Sequence, residues 1–212
     1  MGEGVLITFE GIEGCGKSTQ AGRLKAFLEG EGREVVTTRE PGGTGLGERV
    51  RDILLQSGDM DISPLSELLL YAACRAQIIE EVIRPALADG SVVICDRFTD
   101  STVAYQGYGR GIALETVLAI NGQAVGDIAP ALTLLLDCEP EVGLDRAWSR
   151  IKEVSGAQED RFEREDLDFH RSVRDGYLEI ARREPGRMKV IDGSRSVEEI
   201  HKEIVGIVGK CI

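Results

Sequence analysis

The stretch Gly11-Ile-Glu-Gly-Cys-Gly-Lys-Ser18 constrains this chain more than any other. It has the spacing G-x-x-x-x-G-K-[ST], in which small residues let the backbone wrap an anion with its N–H groups pointing inward. A strand-like run, Val5–Glu10, leads straight into it, and a helical run from Lys17 leads straight out, adding the positive end of a helix. By residue frequencies the pattern arises by chance in about one chain in a hundred, and the flanking strand and helix lower those odds much further. The loop therefore reads as a cradle for the phosphates of a nucleoside triphosphate, built from Gly11, Ile12, Glu13, Gly14, Cys15, Gly16, Lys17, Ser18 and Thr19. Lys17 neutralises charge on the β- and γ-phosphates, and Ser18 ligates Mg²⁺.

The rest of the chain alternates in the same way. Strands are predicted over Val5–Glu10, Glu34–Thr38, Val92–Cys95, Leu132–Asp137 and Lys189–Ile191. Helical patterns cover Lys17–Glu29, Leu46–Gln56, Leu65–Ala88, Leu114–Asn121, Val142–Arg150, Glu165–Arg183 and Val197–Val208. The first, third and fourth strands are nearly continuous apolar runs, as parallel strands covered on both faces require. The expectation is one α/β domain over the whole chain, 1–212, with a five-stranded parallel sheet flanked by helices. Ligands of such sheets bind beyond the carboxyl ends of the strands, where Glu10, Arg39, Asp96 and Asp137 fall.

Charge and composition narrow the partners. A net charge of −12 argues against binding a nucleic-acid polymer. It also demands that arginines be concentrated wherever phosphates bind. No apolar run is long enough to cross a bilayer, and the Met-Gly-Glu-Gly start lacks the marks of a secretory signal, so the cytoplasm is expected. Five scattered cysteines (Cys15, Cys74, Cys95, Cys138, Cys211) with no C-x-x-C read as reduced thiols, not as a disulfide frame or zinc site. A guanine-reading N-K-x-D is missing, and the small size points to a nucleotide or small-molecule kinase. His170 and His201 are expected at the surface of helices, with no part in the chemistry.

Several segments then converge: Phe9–Thr19, Thr38-Arg-Glu-Pro-Gly-Gly-Thr44, Leu70-Tyr-Ala-Ala-Cys-Arg-Ala-Gln77, Asp96-Arg-Phe-Thr-Asp-Ser-Thr-Val-Ala-Tyr-Gln-Gly107, Asp160-Arg-Phe-Glu163 and Ile191-Asp-Gly-Ser194. In this order, and along nearly the whole length, the chain resembles the thymidylate kinases (dTMP kinases). The resemblance implies the P-loop nucleoside-monophosphate-kinase fold with a lid over about 146–163, and ATP and dTMP as substrates with Mg²⁺. It further implies a homodimer packed through parts of Leu65–Ala88 and Leu114–Asn121. By the same resemblance Arg97 stands at the site of phosphoryl transfer, and Asp96 supports Mg²⁺ through water or orients Arg97. Arg39 is a second cation for the acceptor phosphate, with Arg51 a weaker candidate. Tyr71 stacks on thymine where the family usually has Phe, and Arg75, one turn on, bonds a thymine carbonyl. Ser101, Thr102, Tyr105 and Gln106 complete the nucleoside site, with Thr102 reading thymine N3 and Tyr105 packing below the deoxyribose. Glu13 accepts from the 3′-hydroxyl, and Ile191–Ser194 lies near the adenine. Some family members carry an arginine directly after that acid. Here the position is Gly14, which moves the missing charge to the lid, to Arg150 and Arg161 first and Arg146 third, with Val154–Glu159 as the flexible stretch between them. Two other readings stay open: another P-loop nucleotide or deoxynucleoside kinase, and a nucleotide-binding switch without catalysis.

Overall fold

The computed structural model describes residues 4–56, 61–153 and 160–211. Among them, β1 (Val5–Glu10), β2 (Val35–Arg39), β3 (Val92–Asp96), β4 (Leu132–Asp137) and β5 (Met188–Asp192) form one parallel sheet in the order β2-β3-β1-β4-β5. The fold class expected from the alternation of strands and helices is the one observed. The three central strands are buried almost throughout, which explains their unbroken apolar runs, while β2 and β5 at the edges are half-buried. Side chains alternate across the sheet, so Ile7 and Phe9 enter one core cluster with Leu24, Leu134 and Tyr177, and Leu6 enters another with Ile78, Val93 and Phe98. Register places Phe9 opposite Asp96 and Asp96 opposite Arg39, so β2 and β3 end level and β1 runs one residue further.

The helices are α1 (Lys17–Gly30), α2 (Gly45–Leu55), α3 (Pro64–Ile78), α4 (Arg84–Ala88), α5 (Thr99–Thr102), α6 (Leu114–Val125), α7 (Pro140–Glu153), α8 (Leu167–Arg183) and α9 (Val197–Val208). Side chains of Thr44, Ser63, Asp166 and Ser196 accept from first-turn amides and start α2, α3, α8 and α9. Two features depart from expectation. The long helix expected over Leu65–Ala88 is α3 and α4 joined by a π-helical turn, Ile79–Ile83. The segment after β3, carrying no predicted helix, is helical: α5 runs into a π-helical stretch, Val103–Gly109, that packs along α8. π-Helical turns recur at functional sites, and this one carries Tyr105 and Gln106.

Candidate active site

Gly16 takes the left-handed conformation at φ 100° and caps α1, so the loop turns back on itself before the helix starts. Lys17 lies beneath the loop, its Nζ donating to the carbonyls of Gly11 (3.0 Å) and Ile12 (2.8 Å). Ser18 Oγ donates to Asp96 Oδ2 at 2.6 Å. A hydroxyl and a carboxylate thus meet at the mouth of the loop, and two hard oxygens there fit Mg²⁺, which takes few protein ligands and keeps water and phosphate for the rest. No cluster of three or more His, Cys, Asp or Glu residues suited to a metal occurs among the described residues, as that mode of binding allows.

β3 delivers Arg97. Its backbone turns left-handed at φ 71°, unusual for a residue with a side chain and a conformation that must be held by its surroundings. They hold it firmly. The Arg97 amide donates to Phe9 O, and the guanidinium donates to Gly11 O (2.9 Å), Ser101 Oγ (3.2 Å), Tyr177 OH (3.1 Å), Glu13 Oε1 (2.9 Å) and Tyr105 OH (3.1 Å). The Tyr105 ring also faces the guanidinium at 4.9 Å. Burial pushes the Glu13 carboxyl up, but Arg97, His170 and Lys17 outweigh it and hold the group well below the usual carboxylate range. Glu13 is therefore an acceptor only. Glu10, wholly buried, stands behind: it accepts from the Phe98 amide, Ser101 Oγ and Tyr177 OH and so fixes the turn after Arg97. Burial, then the nearby Asp100, raises it to about 7.

A cavity of about 320 Å³ opens beside the loop. It brings together Glu13, Gly14, Gly16, Lys17, Ser18, Thr19, Arg39, Arg51, Tyr71, Asp96, Arg97, Ser101, Thr102, Tyr105, Gln106, Arg146 and Arg150, most of the residues expected from the sequence. Thr102 is 1% exposed and its Oγ1 has no hydrogen-bond partner, so the wall holds an unspent donor–acceptor. Arg39 is paired with Glu48 at 2.9 Å, and Arg51 donates to Pro41 O. A second cavity, about 340 Å³, adjoins the other side of the loop; Gly193, Arg195, Val197 and Ile200 line it with Gly14–Gly16.

Three expectations are corrected. Arg75 is not in the cavity wall; its side chain is 1% exposed and donates to Glu40, Asn121 Oδ1 and Phe98 O. A guanidinium so deep must be ion-paired, and Glu40 claims it; it also lies 5.4 Å from the centre of the Phe98 ring. Arg161 also turns away. It donates to Leu54 O and to Glu67, a fully buried carboxylate that accepts from Gln106 and Arg110 as well. His170 is not on the surface but completely buried, with Nδ1 3.5 Å from Glu13 Oε2. The expected flexible stretch, Val154–Glu159, lies outside the described residues.

Five lining residues carried no role in the sequence reading: Glu40, Pro41, Leu55, Phe162 and Glu163. Burial, then the Glu13 charge, lifts Glu163 to about 7. The motif Asp160-Arg-Phe-Glu163 was the available signal for the last two, but composition does not tell which of its members faces inward.

The thymidylate kinase family model matches residues 9–204 of the chain. A thymidylate kinase of Pelobacter propionicus is 56% identical over 205 residues, covering 97% of this chain and 94% of that one. One of Geotalea daltonii is 51% identical, covering 98% of each. The crystal structure of thymidylate kinase from Ehrlichia chaffeensis superposes with a TM-score of 0.76 at 36% identity, covering 97% of this chain and 99% of that chain.

Proposed function

The chain belongs to the thymidylate kinase family, and from that premise we propose that it transfers the γ-phosphoryl group of ATP to dTMP in the cavity lined by Glu13, Arg97 and Thr102. One observation carries this reading: the phosphate loop and the arginine that follows the neighbouring strand converge on a cavity whose lining includes a residue with a buried, unpartnered hydroxyl. The triphosphate follows the loop from Gly11 to Thr19, its adenine toward the second cavity by Gly193. The acceptor phosphate meets Arg97 and Arg39. Its 3′-hydroxyl donates to Glu13, its base stacks on Tyr71, and Thr102 Oγ1 accepts the N3 proton, with Ser101, Tyr105 and Gln106 closing the site. An oxygen of the acceptor phosphate attacks the γ-phosphorus in line, the bond to the β-phosphate oxygen breaks, and ADP and dTDP leave. Such a transfer needs positioning and charge more than a base. Mg²⁺ would be held through Ser18 and Asp96 and would offset charge on the phosphates.

The deciding experiment is ADP release over a panel of nucleosides and nucleoside monophosphates. Activity on dTMP above all others is expected; activity on thymidine and not dTMP would overturn the reading.

The lid cations follow from the corrected geometry. Arg150 and Arg146 line the cavity, whereas Arg161 serves Glu67. Arg150→Ala is therefore expected to lower kcat by about 10²-fold, the scale of losing one charge-stabilising donor, with KM for dTMP little changed. Arg161→Ala should lower the melting temperature more than kcat, and the reverse pattern in steady-state and melting data would exchange the two roles.

A homodimer is part of the proposal. Leu65 and Leu69 on α3 and Leu118 on α6 are half exposed or more (52%, 50% and 56%), and α3 packs beside α6. Neighbouring exposed leucines on adjoining helices suit a self-complementary interface. Leu118→Glu is expected to shift sedimentation from dimer to monomer. The enzyme is placed in the cytoplasm, whose reducing conditions suit five free cysteines.

A further inference from the structure

α7 rests on the phosphate loop with no side chain between them. A Cβ on Gly14 would lie 1.9 Å from the Gly143 carbonyl oxygen and 3.1 Å from the Ala147 amide nitrogen. A Cβ on Gly143 would in turn lie 2.4 Å from the Glu13 carbonyl oxygen and 3.2 Å from Ile12 Cδ1. Real Cβ atoms essentially never come within 3.0 Å of a neighbour, so Gly14 is required by the backbone of Gly143, and Gly143 by the carbonyl of Glu13, the residue before Gly14. Ala147, one turn on, is fully buried against the same place.

Gly143, Arg146 and Arg150 fall at i, i+3 and i+7, a single stripe of the helix. Arg146 and Arg150 both line the cavity, and Arg146 Nη1 also donates to Gly193 O at 3.2 Å. The bare contact at Gly143 therefore fixes how far these two guanidinium groups stand from the loop that holds the triphosphate.

We propose that Gly143 is a positioning residue for phosphoryl transfer, its lack of a side chain seating α7 so that Arg146 and Arg150 reach the transferring group. The proposal rests on the reading of those arginines as lid cations. A methyl group at position 143 forces the helix outward by roughly 1 Å, and a misplacement of that size costs on the order of 10²-fold in rate. Loss of helix stability does not explain such an effect, because alanine favours a helix over glycine by about 1 kcal/mol.

The test is a cycle in kcat. Gly143→Ala is expected to lower kcat about 10²-fold, with KM for dTMP within about twofold and the melting temperature near that of the parent. Arg146→Ala/Arg150→Ala also lowers kcat, and adding Gly143→Ala to that double variant produces no further loss. Gly14→Ala presses on the same contact from the loop side, with a lower melting temperature expected because Gly14 stands at φ 67°. Should Gly143→Ala fail to fold, Gly14→Ala is expected to lower kcat in the parent and to add no loss to the double-arginine variant, and a full multiplicative loss there overturns the positioning role. Unchanged kcat in Gly143→Ala, or a full multiplicative loss in the triple variant, overturns the positioning role while leaving the lid cations in place. Unchanged kcat in the double-arginine variant instead overturns the lid-cation reading and this proposal with it.

Discussion

Replacing Arg97 by lysine is expected to lower kcat/KM for dTMP by about 10²–10³-fold while the protein stays folded. Charge is retained in this variant, so the effect isolates geometry. The Arg97 guanidinium spans Gly11 O, Ser101, Tyr177, Glu13 and Tyr105 at 2.9–3.2 Å. An ammonium is a point charge with three donors and cannot hold that fork. Glu13 would lose its fixed partner, and the acceptor phosphate would lose a planar group able to bridge it to the transferring phosphoryl. The proposed site predicts the loss mainly in kcat. Activity within a few-fold of the parent would place the transfer elsewhere.

Glu40→Ala should act on stability instead. It leaves the Arg75 guanidinium, 1% exposed, without its anion. Removing one partner of a buried pair costs about 3–5 kcal/mol, which for a chain of this size lowers the melting temperature on the order of 10 °C. Glu40→Leu/Arg75→Met should regain most of it, since an apolar pair of similar volume carries no desolvation cost. Calorimetry on the two variants and the parent checks this. A single variant that melts with the parent would mean that Asn121 and Phe98 O suffice for Arg75. The double variant has a second use: Arg75 lies one helical turn from Tyr71 on α3, so its KM for dTMP reports whether the buried pair shapes the proposed base site.

What the sequence made legible was local. The phosphate loop needs only its own residues and the flanking strand and helix, and the three central strands announce themselves by burial on both faces. What it hid was pairing. Arg75 and Tyr71 are four residues apart on one helix, yet only Tyr71 reaches the cavity, because Glu40 on a distant turn neutralises Arg75. Arg161 belongs to a buried acid 94 residues away, a partner no spacing reveals. The helical run Thr99–Gly109 was hidden for another reason. Its Ser, Thr and Gly residues are weak helix formers, and the structure there comes from α8: the Tyr105 ring meets Phe169 and Tyr177, and Gly109 and Gly176 let the two segments approach closely. Tertiary packing overrides propensity in such a place. His170 was expected at the surface of its helix, but it lies on the buried face of α8 with Phe169 and Val173, while Arg171 lies on the exposed face.

The parallel register of β1 and β3 has a consequence for tolerance. Phe9 pairs with Asp96, so Arg97 leaves β3 level with Glu10, the last residue of β1 before the phosphate loop. One rung of a strand is about 3.3 Å, and reacting atoms in a productive complex stand about 3–3.5 Å apart. A slip of a single residue between these two strands would thus consume the entire approach distance, besides turning every side chain to the wrong face. The sheet serves as a ruler whose smallest division equals the gap that the chemistry must bridge. Insertions and deletions should therefore be tolerated in the outer helices and be lethal to activity within Val5–Glu10 or Val92–Asp96, where no side-chain adjustment can restore a whole division.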